Sequence, residues 1–476
     1  ASDRAMEQSL TNQSGEYRLS TGGAGTFRVR TLRIGYRPAT SEPFALAAGQ
    51  DLQLAPLRAG APISLDTVVV VGRNRCRAVG DAAATFALWE QARTALTATQ
   101  ISGRLRAMSA TVVTFQRTLD PGSRRVREEF ARLSSGMTTR LWNSLPADSL
   151  QRIGYIVLDE NNWTTYYAPH LDVLLPDEFV EDHCFRISEG SNATRVGIEF
   201  EPNRDRRDVV DIRGTMWLDR TSSELRGLEF RYVNVSQYHE RAGAGGEMRF
   251  VRLANGAWLI SRWRIVMPVL EQRMVAATGF GDSRIPETSV TELRVEGGAV
   301  ALVRQAGDTL WASQPVVLAG QVLDSLSGAP VPGTRVALRG TLLSAVTDSA
   351  GRFGIRGTLP GEYTMDVRTP TLQSLGAMHS VPVILTDSAT DITIRVPAAT
   401  QLARASCGDA AGGLLSGQLF AGGAAAPRDV KVVAEWTEVT ANSSDASRGF
   451  TRRAKWLEAR TDGRGLYRIC NVPFDM

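Results

Sequence analysis

The densest group of side chains able to do chemistry is Asp177-Glu178-Phe179-Val180-Glu181-Asp182-His183. Carboxylates followed by an imidazole could ligate a divalent metal, with Asp177, Glu178 and His183 as the candidates. The same run also reads as a solvated face, with Phe179 and Val180 turned toward a core. A helical zinc site would place a second histidine four residues on, and none is there. The histidines are His170, His183, His239 and His379, and none has glutamate three residues later, the pair a zinc peptidase needs. No Gly-x-Ser-x-Gly elbow, phosphate loop or dinucleotide fingerprint occurs. No residue is therefore expected to be catalytic, and no cofactor is expected.

Tryptophans offer a second chemistry. An exposed indole stacks on the apolar face of a sugar ring, whereas a buried one supplies core area. Trp217, Trp258 and Trp263 fall on expected strands of the middle region, and Trp436 and Trp456 on strands near the C-terminus. Trp258 and Trp263 have opposite strand parity, so at most one of them need face the core. Trp217, Trp258, Trp436 and Trp456 are the candidate ligand-binding residues.

The cysteines are Cys76, Cys184, Cys407 and Cys470, with no C-x-x-C spacing for zinc. Cys407 precedes the first strand of a late repeat and Cys470 ends a hairpin strand in it. A Cys407–Cys470 bridge would staple one small domain and leave Cys76 with Cys184. Two disulfides imply an oxidising, extracytoplasmic compartment. Net charge is only +4, and acidic residues (50) are interspersed with basic ones (54). Without a basic stripe interleaved with aromatics, nucleic acid is excluded as the expected partner. No apolar run approaches the roughly 18 residues of a membrane helix.

The elements that must position these residues are mostly strands. Thr347-Asp348-Ser349-Ala350-Gly351-Arg352-Phe353-Gly354-Ile355 recurs as Thr461-Asp462-Gly463-Arg464-Gly465-Leu466-Tyr467-Arg468-Ile469, and as Thr11-Asn12-Gln13-Ser14-Gly15-Glu16-Tyr17-Arg18-Leu19. Asp caps a tight turn, Gly accepts positive φ, and the aromatic enters a core. Turn chemistry alone accounts for each fixed position. After the first copy, Thr26 to Arg30 reads as the second hairpin strand.

The fullest copy begins at Gly320-Gln321-Val322-Leu323-Asp324 and runs through Pro330-Val331-Pro332-Gly333-Thr334-Arg335-Val336-Ala337-Leu338. The last copy begins at Gly417-Gln418-Leu419. This pattern resembles the carboxypeptidase regulatory-like family, small prealbumin-like β-sandwiches grouped with carbohydrate-binding-like folds. The resemblance implies fold much more than activity. Leu65-Asp66-Thr67-Val68-Val69-Val70-Val71-Gly72 is similar to the junction that follows such a domain in TonB-dependent outer-membrane receptors.

Between these copies, Phe86, Trp89, Ala92 and Leu96 predict a helical face. Strand signals follow. Val113 and Phe115 precede an Asp120-Pro121-Gly122 turn, while Val126, Phe130 and Leu133 fit either a strand or a helix. Arg213–Asp219 and Leu228–Tyr232 predict a strand pair. Asn255-Gly256 and Gly297-Gly298 predict two hairpin turns, the second between Val290–Val295 and Val300–Val303. A helix followed by an antiparallel meander looks like the half-barrel of periplasmic lipoprotein carriers. The block from Tyr166 to Asp219 also resembles uncharacterised bacterial envelope proteins.

The expected fold is mainly β: several small Ig- or prealbumin-like sandwiches flanking a middle domain with a curved antiparallel sheet and one helix. The expected domains are 1–75, a truncated regulatory-like sandwich; 76–312, helix plus curved sheet; 313–403, a sandwich; and 404–476, a truncated sandwich. The expected role is non-catalytic: binding or spacing protein or glycan partners at the bacterial cell surface, with association to the outer membrane left open. The alternatives are an extension of a TonB-dependent transport system, an apolar-ligand carrier with a cavity lined by Trp217, Phe230, Phe250 and Trp258, and a hydrolase centred on Asp177–His183.

Overall fold

The computed structural model describes residues 7–12, 14–57, 60–62, 82–103, 108–136, 141–160, 164–189, 193–276, 284–313, 316–408, 412–421, 423–425, 428–441 and 450–473. The chain divides into two compact units, Ala1–Arg124 with Glu129–Ser313, and Arg125–Glu128 with Gln314–Met476. Both are mainly β. The Leu65–Gly72 junction lies outside the described residues.

The first unit is built on one antiparallel sheet and one long helix, α1 (Ala82–Gly103). Its strands are β1 (Met108–Leu119), β2 (Val126–Ser135), β3 (His183–Glu189), β4 (Arg195–Pro202), β5 (Asp211–Asp219), β6 (Leu225–Val233), β7 (Gly245–Arg252), β8 (Trp258–Ala276), β9 (Arg284–Gln305) and β10 (Asp308–Ala312). They pair in the order β2-β1-β9-β8-β7-β6-β5-β4-β3, with β10 also on β9. Val126 to Leu133 is thus strand, with Phe130 and Leu133 exposed.

On α1, where Glu90, Gln91 and Thr94 are buried as well, the buried apolar residues Leu88, Trp89, Ala92, Ala95 and Leu96 form a stripe with the 3- and 4-residue spacing of one helix face. Phe86 does not belong to it and is 61% exposed. It sits about 120° around the helix from the stripe's centre, which the count from Trp89 alone concealed. The stripe packs in one core with Met216, Leu218, Leu228, Phe230, Met248, Phe250, Trp258 and Trp263. At the helix C-terminus the Ser102 hydroxyl accepts from Trp258 N–H at 2.9 Å, locking α1 to β8.

Two expectations fail in β8 and β9, for related reasons. Trp258 and Trp263 both face the core, at 4% and 2% exposure. Arg249 pairs with Arg262 and Phe250 with Ile260, so Ser261 is an extra residue in β8. That bulge resets the alternation, and two odd-spaced tryptophans share a face. Gly297-Gly298 is no hairpin turn but the middle of the continuous strand β9. A Cβ on Gly298 would lie 2.3 Å from the Trp263 indole, and one on Gly297 2.6 Å from the Phe115 ring. The glycines are there because rings lie over both faces of the strand.

N-terminal to α1, the turn at Asn12 forms, but Tyr17 to Leu19 is not a strand. The expected first-copy hairpin is therefore corrected. Gly25–Phe27 pairs with Phe44–Leu46, and Arg30–Thr31 with Ala39–Thr40. Tyr17 and Leu19 are only half-buried, so no core pins a hairpin there. Gln91 holds this segment against α1, accepting from Gly35 N–H at 2.6 Å.

The second unit contains a two-sheet sandwich. Its strands are β11 (Val317–Asp324), β12 (Arg335–Leu338), β13 (Ser344–Val346), β14 (Arg352–Arg356), β15 (Gly361–Arg368), β16 (His379–Leu385) and β17 (Thr390–Val396). One sheet runs β14-β11-β17, the other β13-β12-β15-β16. Helix α2 (Ala399–Cys407) leads to β18 (Gly413–Gln418), β19 (Lys431–Ala441), β20 (Phe450–Arg460) and β21 (Leu466–Val472). There β18 pairs with β21, and β19 with β20.

The repeated turn has one hydrogen-bond set in all three copies. Asp348 Oδ1 accepts from Ala350 and Arg352 N–H at 2.9 and 2.8 Å. Asp462 Oδ1 accepts from Arg464 and Leu466 N–H at 2.8 and 3.0 Å. Asn12 Oδ1 accepts from Ser14 and Glu16 N–H at 3.0 and 2.9 Å. Gly351, Gly465 and Gly15 carry φ of +71°, +74° and +81°, which only glycine adopts without strain.

Candidate functional site

The acidic run folds as a short helix, Asp177–Asp182, that hands over to β3 at His183. Asp177 and Glu178 face solvent, and Asp177 pairs with Arg93 on α1 at 3.1 Å. Phe179 is buried. His183 points the other way, its side chain 3% exposed. The fold thus separates the three metal candidates. Among the described residues no group of three His, Cys, Asp or Glu is placed to hold a metal ion.

His183 instead meets a carboxylate from far along the chain. Its Nδ1–H donates to the Phe179 carbonyl at 2.9 Å, and Nε2 lies 3.5 Å from Asp211 Oδ1. That second distance is ion-pair range, too long for a hydrogen bond. Asp211 is fully buried at the start of β5. Its Oδ2 accepts from Arg206 Nε, and its Oδ1 from Ile212 N–H at 2.8 Å. Arg206 also reaches Asp182 Oδ2 and the Gln151 carbonyl, each at 3.3 Å. Burial by itself would raise the Asp211 carboxyl, but His183 and Arg206 outweigh it and hold the group below the usual carboxylate range. Burial pushes the neighbouring Tyr155 hydroxyl well above its ordinary value, and the Asp211 charge adds to the effect.

This is a clasp rather than a reaction centre. The His183 ring stacks on Phe179 at 4.1 Å and meets Phe200 edge-on, so aromatics cover the imidazole. Asp211 and Arg206 are engaged by other parts of the scaffold, while the buried His183 Nε2 makes no hydrogen bond among the described residues. Sequence reasoning found His183 but missed Asp211 and Arg206. One signal was available: Asp211 heads the apolar strand Ile212–Leu218, where an unpartnered carboxylate would be costly.

The four candidate tryptophans do not converge. Trp258 is core. Trp217 lies between Gly197 and Gly227 in cross-strand register, and a Cβ on Gly197 would sit 2.8 Å from its ring. Phe230, Phe250 and Trp258 pack with α1, while alternation puts Trp217 on the opposite face from Phe230. The lining expected for an apolar-ligand cavity therefore does not assemble. Trp436 is half-buried, and its buried Nε1 has no hydrogen-bond partner among the described residues. Trp456 is 61% exposed on β20.

The Cys407–Cys470 bridge is present and ties α2 to β21. Cys184 is disulfide-bonded, and Cys76 lies outside the described residues.

The repeat's Gly, Gln and Thr positions each make a tertiary contact that the sequence alone did not show. Gly320 faces Phe353 and Gly417 faces Tyr467 across their strand pairs, with each ring lying over its glycine. Gln321 and Gln418 donate to the Ala350 and Arg464 carbonyls at 2.7 and 2.9 Å. The Thr347 and Thr461 hydroxyls accept from Thr334 and Val430 N–H, both at 2.9 Å. The motif's polar groups are thus used in building strands and turns.

Residues 317–401 match the carboxypeptidase regulatory-like domain, a regulatory-like rather than a peptidase module. No match is found among curated proteins. Among solved structures, the chain is similar to a type II cohesin–X-dockerin complex from Acetivibrio cellulolyticus, at 21% identity over 17% of this chain and 56% of that one, TM-score 0.15. It is similar to the Bacillus anthracis TIE protein at 11% identity over 65% and 55%, TM-score 0.16. A LolA superfamily protein from Nitrosomonas europaea matches at 12% identity over 45% and 93%, TM-score 0.21. The chain thus spans only about half the length of the cohesin and TIE chains.

Proposed function

We propose that this is a non-catalytic, multi-domain protein of the bacterial envelope or exterior that binds or spaces protein or glycan partners through β-modules. The observation that carries this reading is the turn built three times from one set of side-chain bonds. Its Asp, Thr, Gly and aromatic positions all act as scaffold, and the buried His183–Asp211–Arg206 group does the same in the first unit. An extracytoplasmic location is supported by the Cys407–Cys470 bridge.

In this role rigid modules present loops and strand faces, and specificity lies in exposed side chains such as Trp456. The test is binding of the full chain to a glycan array and to immobilised envelope polysaccharide, compared with Trp456→Ala and Trp217→Ala. Saturable binding weakened by either change supports the glycan form. Turnover of an ester, peptide or glycoside panel that His183→Ala abolishes would overturn the non-catalytic reading.

A further inference from the structure

The two copies of the repeat in the second unit can be matched residue by residue. Thr347 and Thr461 accept the same bond, from Thr334 and Val430 N–H. Val336 and Leu338 of β12 therefore correspond to Val432 and Ala434 of β19. Gly320 pairs with Phe353 and Gly417 with Tyr467, so Leu318 of β11 corresponds to Leu415 of β18. Each of these leucines lies opposite an isoleucine, Ile355 or Ile469.

The strands around the matched positions differ. In the complete sandwich β12 lies between β13 and β15. Among the described residues β19 pairs with β20 alone. The inner side chains record what is missing. Leu318 is fully buried, whereas Leu415 is 39% exposed. Val336 and Phe353 are buried, whereas Val432 and Tyr467 are only half-buried. In the complete sandwich β15 contributes three fully buried side chains, Tyr363, Met365 and Val367, with Val367 opposite Val336 and Met365 opposite Leu338.

The backbone of β19 is set for the same pairing. Arg339 N–H donates to the Thr364 carbonyl at 2.8 Å, so the alternate residues Arg335 and Ala337 also direct their N–H groups to β15. Their counterparts Lys431 and Val433 direct theirs to the edge of β19 away from β20.

We propose that this edge binds an extended segment of a partner protein, with apolar side chains at alternate positions, antiparallel to β19 and in the place β15 takes in the complete sandwich. Two apolar residues then lie opposite Val432 and Ala434 and close the small core over Leu415. Main-chain bonds give affinity, and the alternate side chains give selectivity. The inference rests on the binding role proposed above and names the chemistry of its protein partner.

The test is fluorescence anisotropy of a dye-labelled peptide with the sequence of residues 361–368, titrated with the full chain. Saturable binding is expected. Tyr363→Ser with Met365→Ser in the peptide should weaken it at least about 100-fold. Val433→Pro in the chain should weaken it at least about 10-fold by removing one edge donor. That N–H points away from β20 and proline is tolerated on an edge strand, so the melting curve should not change. The serine peptide keeps the test decisive if this variant does not fold. No saturable binding, or binding that either change leaves at full strength, overturns the proposal. A dimer of the chain that Val433→Pro dissolves, with no peptide binding, overturns it in favour of a second copy. The non-catalytic reading fails separately, on turnover that His183→Ala abolishes.

Discussion

Two buttressing carboxylates, one in each unit, work by opposite logic. Asp211 is fully buried and held by His183 and Arg206, respectively 28 positions before it and 5 before it in the chain. Asp462 sits in solvent and is held by backbone N–H groups two and four residues on. Both are shifted below the usual carboxylate range. For Asp462 the Leu466 and Arg464 N–H bonds are the cause, while for Asp211 the His183 and Arg206 side chains overcome an opposing desolvation. A local turn needs little beyond its own residues, so the chain reuses it. A buried clasp needs the surrounding fold and occurs where the Asp177–Asp182 helix, β3 and β5 meet.

The contrast should be sharpest at Asp211→Ala. Removing it takes away the carboxylate that faces His183 and accepts from Arg206 Nε, leaving Arg206 only Asp182, and a loss of about 3–5 kcal/mol is expected in urea unfolding of the full chain. A loss under about 1 kcal/mol would mean the clasp contributes no more than a surface pair. Next comes Gly320→Val. Its Cβ would lie 2.4 Å from the Ile392 carbonyl and 2.8 Å from the Phe353 ring, whereas at Gly417 the nearest atoms all belong to the half-buried Tyr467 ring. Backbone cannot swing away, so about 3 kcal/mol is expected at Gly320 and about 1 kcal/mol at Gly417. Equal losses would show that the two glycines play the same steric part.

Acid separates the carboxylates further. A group whose folded pKa is depressed contributes stability above its unfolded pKa of about 4, and that contribution is lost as pH falls through the folded value. Both units should therefore loosen on acidification. Asp462→Asn should leave stability at neutral pH nearly unchanged, because Asn12 already makes the same two bonds in the first copy. It should also remove that turn's share of the acid sensitivity, read from melting midpoints across pH 2–7. Asp211→Asn should not be tolerated in this way, since a neutral amide cannot balance the Arg206 guanidinium. The smallest effect is expected at Trp456→Ala, within about 0.5 kcal/mol by thermal melting, because the side chain is exposed. A larger loss would move Trp456 from surface to scaffold.

Legibility followed the range of the interaction. The three turns and the Asn255-Gly256 hairpin could be read directly, since each rests on bonds between residues a few positions apart, and β11 to β15 could be read from their own apolar alternation although β11 pairs with β14 and β12 with β15. The Cys407–Cys470 staple was readable because the repeat set both ends. Misreadings arose where a distant ring or an extra residue intervened. Gly297-Gly298 looked like a turn until Trp263 and Phe115 were found lying on it, and the Ser261 bulge turned two tryptophans of opposite parity to one face.

The amino-acid order by itself determined the β character, the tripled turn and the module spanning 317–401. Local hydrogen-bond geometry and the two-residue period of a strand suffice for those. Only tertiary structure decided that His183 pairs with Asp211 instead of Asp177, and that the α1 stripe fills one sheet face with Trp217 turned to the other. Side chains far apart in the chain become neighbours through packing, and packing is where burial sets the cost of every charge.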